Sequence, residues 1–368
     1  MNALTAATDR AHILIVKLSS LGDDVHSMPV VHDILAAHPH VTIDWVVEPG
    51  FAPVLRRVDG LHRVIECPLR RWSKRWWTAP VRAEWRAFRQ QLQSQPYDAV
   101  IDLQGLTKSV VIARLATLSP TGATYGLANR TDGASFEAPA RWLVDHAIRI
   151  TPHIHALDRS RELVAQALRY PVHGSPTFGL QARGEAAVAP APAPALAPAL
   201  AHTSAPTLVF VHGTSRDDKL WPEAAWIALG QRAIAHGWRI ALPHHGSVEL
   251  ARAQRIQQSL GDAAEVWPEM GLDALVDRLG AAQGVVGVDS GLSHIAVALQ
   301  LAHVQIYNFP TAWRTGPQAA HGHRHQESVE GQPTPSLDAV WAAWCRVAPA
   351  LPGAVDMPGS LPVLELRS

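Results

Sequence analysis

Cysteine is nearly absent from the 368 residues, with Cys67 and Cys345 the only two. Two are too few for a disulfide scaffold or a Cys-rich zinc site, so a reducing compartment is expected. Net charge is absent too. The 32 Lys and Arg balance 32 Asp and Glu, which argues against a strongly basic nucleic-acid binder but allows a local basic patch. Lysine is scarce: only positions 17, 74, 108 and 219 carry it, leaving 28 arginines. Genome composition accounts for such scarcity, and it makes each retained ammonium group worth inspecting. No apolar run approaches the roughly 18 residues of a membrane-spanning helix. The start MNALTAATDRAHILIVKL has charges around a short apolar run and does not read as a signal peptide. The Ala-rich stretch 186–200 is broken by alternating prolines. A cytosolic chain, able to touch a membrane surface, is expected.

Several catalytic fingerprints are also missing. Without GxGxxG there is no dinucleotide site of the nicotinamide type, and without GxxxxGK[ST] no Walker-type ATPase. The lack of HExxH or an equivalent ligand cluster leaves no metal expected. Ser290 sits outside any GxSxG elbow, which weakens a hydrolase reading.

What is present is a folded globular composition, 47% hydrophobic and 17% charged. The length suggests two domains of about 150 residues. Apolar runs at 12–18, 41–47, 63–66 and 98–103 read as strands, alternating with helical patterns at 25–37, 51–58, 79–93, 107–118 and 157–168. A second series follows, with strands at 207–212, 238–242, 285–288 and 304–307 and helices at 223–236, 248–260, 272–281 and 292–298. Strands alternating with helices predict two doubly wound α/β domains with parallel sheets. Ligands in such sheets bind beyond the carboxyl ends of the strands. The expected boundaries are 1–183 for the first domain, 184–205 for a Pro/Ala-rich linker, 206–350 for the second domain and 351–368 for an irregular tail.

Four strand ends carry the candidate chemistry. After the first strand comes Ser19-Ser20-Leu21-Gly22-Asp23-Asp24. Gly22 offers a turn conformation, and an aspartate here is either a general base or a helix cap. His26 is a second cleft residue or a surface imidazole. After the strand at 98–103, Asp102, Gln104 and Lys108 surround a glycine turn, although Lys108 reads equally well as solvated. In the second half, Gly213-Thr214-Ser215-Arg216-Asp217-Asp218-Lys219 sets small hydroxyls and a lysine beside backbone amides, as a diphosphate cradle requires. Asp289-Ser290-Gly291 opens a helix whose free N–H groups suit an anion, with His294 in its first turn. Glu249 reads as a ribose contact or a helix cap.

The segment Arg70-Arg71-Trp72-Ser73-Lys74-Arg75-Trp76-Trp77 interleaves cations and indoles. It suits an anion site or a membrane surface, or else a solvated loop with packing aromatics. For Trp76 and Trp85 individually, a packed role is expected.

Seven stretches taken in order resemble the bacterial lipopolysaccharide heptosyltransferases: VKLSSLGDDVHSMP, DWVVEPGFA, RRWSKRWWTAPVRAEWRAFR, YDAVIDLQGLTKS, IHALDRSRELVAQALRY, HGTSRDDKLWPEAAW and VGVDSGLSHIAVAL. The VKLSSLGD start and the RRWxK segment favour the first subtype over the second. The resemblance implies a GT-B fold of two facing Rossmann-like domains with an interdomain cleft. It also implies inverting, metal-independent transfer of L-glycero-D-manno-heptose from ADP-heptose to the inner Kdo of Kdo2-lipid A, with no cofactor and no nucleic acid. It places the general base on Asp23 rather than Asp24, and charge stabilisation of the leaving group on Lys219. Donor contacts fall on Thr214, Ser215, Lys219, Glu249, Met270, Asp289, Ser290, Gly291 and His294. Acceptor contacts fall on Ser20, Gly22, Arg70, Arg71, Lys74, Asp102, Gln104 and Lys108. Ser73 and the segment 131–139 depart from the pattern, each lacking a basic residue. A lipid-linked acceptor implies work at the inner leaflet of the cytoplasmic membrane. An aspartate base has an ordinary pKa far below neutrality. Exclusion of water, rather than a raised pKa, is expected to activate it, with the cations at 70–75 pulling its pKa down.

Overall fold

Val, Ile and Leu crowd β1 (His12–Val16) because helices cover both faces of a parallel sheet, and every residue of this strand is buried. The computed structural model describes residues 11–183 and 205–350. All but the last residue of the expected linker, and the whole expected tail, lie outside the described residues. The chain divides into two compact units, Met1–Gln181 and Ala182–Ser368.

The first unit continues with β2 (Thr42–Val47), β3 (Arg63–Glu66), β4 (Tyr97–Asp102), β5 (Leu118–Leu127) and β6 (His146–Ile148). All pair in parallel in the order β3-β2-β1-β4-β5-β6. The second unit contains β7 (Thr207–Val211), β8 (Arg239–Leu242), β9 (Ala264–Val266), β10 (Gly284–Val288), β11 (His303–Tyr307) and β12 (Gln326–Glu330). Their order is β12-β11-β10-β7-β8-β9. Counted from its own first strand, each unit therefore has the same layout, and each is Rossmann-like. The winding reverses between β1 and β4 in one sheet and between β7 and β10 in the other, the points where such folds bind ligands.

Four strands were absent from the sequence reading: β5, β6, β9 and β12. Segment 107–118, read as one helix, is the helix Thr107–Arg114 followed by the start of β5. The single helix expected at 25–37 is two, Leu21–Ser27 and Pro29–Ala37, with Pro29 at the first position of the second. Gly22 thus lies in a helical first turn and not in the left-handed turn expected of it. The basic segment is also helical, at Leu69–Arg75.

The tryptophans divide between core and surface. Trp221, Trp226, Trp238 and Trp344 pack in the core of the second unit, and Trp72 in that of the first. Trp85 is half-buried against Trp72, with ring centroids 5.3 Å apart. Trp76, expected to pack, is 67% exposed, and Trp77 is exposed beside it. Among the described residues no helix is long and apolar enough to cross a membrane.

At the amino end of the first sheet, buried Asp44 accepts hydrogen bonds from Arg63 Nε (3.0 Å) and Tyr97 Oη (2.9 Å). His12 Nε2 lies 2.8 Å from it and His62 Nδ1 3.0 Å. His12, Asp44 and His62 are ligand types, but the Arg63 guanidinium already neutralises this carboxylate, so the group reads as a structural network. Burial pushes the Asp44 pKa up, and these hydrogen bonds outweigh it and hold the carboxyl below its usual range. A depressed acid stabilises the fold above its unfolded pKa and loses that contribution as pH falls. Asp44→Ala is expected to cost about 3–5 kcal/mol, read as a lower urea midpoint near neutral pH, with the deficit shrinking in acid.

Candidate active site

At the first reversal point, β1 runs into Lys17, Leu18, Ser19 and Ser20, and the helix Leu21–Ser27 begins. Ser20 is its N-cap and Asp23 its third residue. Ser20 donates to Asp23 Oδ2 through both its backbone N–H (3.3 Å) and its hydroxyl (2.8 Å). This is the return half of a capping box. The helix-cap reading of Asp23 is thus realised through one oxygen, and the side chain still stays 41% exposed. Its Oδ1 lies 3.6 Å from Arg159 Nη2, on the helix Ala156–Leu168. That helix is tied on by Ser27 and Ser160, whose hydroxyls are 2.9 Å apart. Partial desolvation raises the Asp23 pKa, but the Lys17 ammonium and the Arg159 guanidinium outweigh it and hold the group well below the usual carboxylate range. The cations responsible are thus Lys17 and Arg159, not the cluster at 70–75.

From β4, the buried Asp102 carboxylate accepts the N–H groups of Gln104 (3.2 Å) and Gly105 (2.9 Å). It thereby fixes the turn in which Gly105 adopts φ +73°. Gln104 Oε1 accepts Leu18 N–H at 2.8 Å, joining the two loops at the reversal point. Asp102 and Gln104 are both buried and engaged by backbone. Lys108 is exposed on its helix. His26 is neither a cleft residue nor a surface one: it is buried, edge-on to His155 at 5.6 Å between ring centroids. In the basic helix, Arg71 pairs with Glu84, which also accepts the Trp72 indole N–H at 3.0 Å. Arg70 and Lys74 are exposed, and the Arg70 N–H donates to Glu48 at 3.1 Å.

At the second reversal point, three residues meet on Asp289, just beyond β10. Lys219 Nζ donates to its Oδ2 at 2.6 Å, and His294 Nε2 lies 3.3 Å from its Oδ1. The Thr214 hydroxyl donates to its carbonyl at 3.1 Å. Burial raises the Asp289 pKa, and the contacts with His294 and Lys219 reverse this and hold the carboxylate ionised. Ser290 is the N-cap of the helix Gly291–Ala298, so the amides at its start point beyond the sheet beside this knot. The arrangement can receive an anion: it offers a lysine with a single carboxylate partner, free helix-start amides and a hydroxyl.

The profile of glycosyltransferase family 9 (heptosyltransferase) matches residues 85–338. The chain belongs to glycosyltransferase family 9. It is 38% identical over 300 residues to lipopolysaccharide heptosyltransferase 1 of Escherichia coli K12, covering 80% of this chain and 87% of that one. An E. coli heptosyltransferase solved with ADP superposes with a TM-score of 0.75 at 32% identity, over 90% of this chain and 98% of the other. A second E. coli structure, with ADP-2-deoxy-2-fluoro heptose, gives 0.69 at 35% identity over the same shares. The α/β architecture of two parallel sheets is the one expected from the sequence.

The other donor candidates of this family 9 chain are Glu249, Ser215 and Met270. Glu249 accepts the His245 N–H at 2.8 Å, capping its own helix, and also lies against Gly213, where an added Cβ would fall 2.3 Å from the carboxylate. Ser215 is exposed, and Met270 is half-buried beyond β9. Among the described residues, neither one is hydrogen-bonded to the knot.

Three contributors were not singled out by the sequence. Asn308, beyond β11, donates to the carbonyls of Asp218 and Leu220, both at 2.9 Å, and so clamps the Lys219 loop. Arg159 has no local motif that announces it. Lys17 had a signal, being a lysine inside an apolar strand run and one of only four in the chain.

Proposed function

We propose that this enzyme transfers L-glycero-D-manno-heptose, with inversion, from ADP-heptose to the inner Kdo of Kdo2-lipid A. The observation carrying the reading is the Lys219–Asp289–His294–Thr214 knot at the reversal point of the second sheet. It lies in a chain similar to heptosyltransferases solved with ADP and with a fluorinated ADP-heptose.

We assign the acceptor to the domain at 1–183 and the donor to the domain at 206–350. Asp23 takes the proton of the acceptor hydroxyl. That oxygen forms a bond to the anomeric carbon as the bond to the diphosphate oxygen breaks on the opposite face. ADP departs with the electron pair, and Lys219 with the amides near Ser290 and Gly291 meets the developing charge. Thr214 and Ser215 hold the diphosphate, Glu249 the ribose and Met270 the adenine, with Asp289 and His294 fixing Lys219 and the sugar. Ser20, Gly22, Arg70, Arg71, Lys74, Asp102, Gln104 and Lys108 make up the acceptor side. Because the acceptor carries lipid, the enzyme works at the inner face of the cytoplasmic membrane. Exposed Trp76 and Trp77, beside Arg70, Arg71, Lys74 and Arg75, suit an anionic interface.

The test is ADP release by the purified protein with ADP-heptose, with and without Kdo2-lipid A. Acceptor-dependent release together with the heptosylated product by mass is expected. Release only on an already heptosylated acceptor would move the enzyme to the second subtype, and no release on either would sink the reading.

A further inference from the structure

Beside the proposed base lies an acid that the reaction as written does not use. Asp24 is 1% exposed, and neither of its carboxylate oxygens has a hydrogen-bond partner. The charged groups facing it are Lys17, from the end of β1, and Asp23, on its own helix. Lys17 is itself buried, with its Nζ 3.4 Å from the Leu103 carbonyl. It also faces Asp102 from β4 and Arg159 from the helix Ala156–Leu168. His26 and His155 pack against each other on the same two helices.

This pocket therefore holds two cations, Lys17 and Arg159, and three carboxyl groups, Asp23, Asp24 and Asp102. Two cations balance two carboxylates, and a further charge on a carboxyl buried away from water, as Asp24 and Asp102 are, would be left uncompensated. One acid must then keep its proton, and hydrogen bonds decide which. Asp102 accepts two backbone N–H groups, and Asp23 accepts the N–H and hydroxyl of Ser20. Asp24 accepts none.

We propose that Asp24 is a positioning residue for the base: it carries the surplus proton of this pocket, and its ionisation sets how strongly Asp23 draws a proton from the acceptor hydroxyl. The proposal rests on the reading of Asp23 as the base. Burial pushes the Asp24 pKa well above the ordinary carboxylate value, with Lys17 opposing and the Asp23 charge adding. While Asp24 is neutral, Lys17 and Arg159 act on Asp23 almost undiluted and keep it a weak base. Loss of the Asp24 proton adds a third negative charge around Lys17 and raises the proton affinity of Asp23. The two acids titrate as a coupled pair.

The experiment is kcat for ADP release with ADP-heptose and Kdo2-lipid A across about pH 5 to 8, for the native enzyme, Asp24→Asn and Asp24→Val. The native kcat should rise with pH along a one-proton limb. Asp24→Asn, fixed in the neutral form, should lose that limb and stay about tenfold below the native plateau, with the donor KM unchanged. Asp24→Val should behave alike and carries the test if the asparagine variant does not fold. Asp102, pushed up to about 6 by burial, titrates in the same range, so an Asp102→Asn profile that keeps the limb assigns it to Asp24.

Thermal unfolding gives a readout independent of turnover. An acid whose pKa is raised in the folded state stabilises below its unfolded value and loses that contribution as pH rises through the folded one. The Tm of Asp24→Asn should therefore exceed the native Tm by a margin that grows with pH. An unchanged limb in both variants, or a margin flat with pH, would overturn the proposal. A native enzyme that is inactive on either acceptor, yet shows the growing margin, would instead remove the proposed reaction and leave the buried proton standing.

Discussion

Asp23→Asn is expected to lower kcat by about a thousandfold, within the range a positioned general base contributes. The substitution keeps the shape and leaves an amide oxygen to accept from Ser20, so the helix start survives. The side chain is 41% exposed, so the fold should lose less than about 1 kcal/mol. Donor KM should hardly move, because the donor is assigned to other residues. With Lys17 and Arg159 holding Asp23 ionised, the proposed base is already deprotonated throughout the neutral range. A pH limb in the native enzyme therefore belongs to another group. ADP release with mass analysis of the product reads the result, and full activity in this variant would take Asp23 out of the mechanism.

Lys219→Ala is expected to cost about a hundredfold or more in kcat and to raise the donor KM, since it removes the ammonium proposed to meet charge on the departing diphosphate. The loss has a second part. Asp289 would keep His294 beside it in a buried setting, and its negative charge would then face a bound diphosphate without the screen of Lys219. Lys219→Arg should recover only part of the rate, because a planar fork does not reproduce a compact ammonium 2.6 Å from Oδ2. Single-turnover mixing with saturating donor separates the rate effect from the binding effect. A variant with native kcat and only a raised KM would reduce Lys219 to a binding role.

The strands that announced themselves are those buried on both faces. HILIV, TIDWVV and TLVFV are largely apolar runs buried along nearly their whole length. β12, QESVE, and the three-residue β6 and β9 lie at or near sheet edges, where burial on one face leaves no apolar run to read. β5 begins LSPTG, a turn-like start that hides its buried second half. The candidate site was legible where strand, glycine and helix follow one another, at Asp23, Asp102 and Asp289. It was not legible where a side chain arrives from a distant element. Arg159 reaches Asp23 across 136 positions of sequence and Asn308 clamps Asp218 across 90, and no local pattern encodes either approach.

The repeated strand order has a consequence for how such a chain can change. Asp23 is braced by Ser20 and Arg159 of its own sheet and helices, and Asp289 by Thr214, Lys219 and His294 of its own. Each half thus braces its own candidate aspartate with side chains of its own. On the proposed division of donor and acceptor between the halves, recombination at the Pro/Ala segment grafts a new nucleotide-sugar specificity onto an old acceptor specificity, or the reverse, with each bracing kept intact. Diversification by exchange of halves is open to this architecture in a way it is not to an enzyme whose site grows from one interwoven sheet.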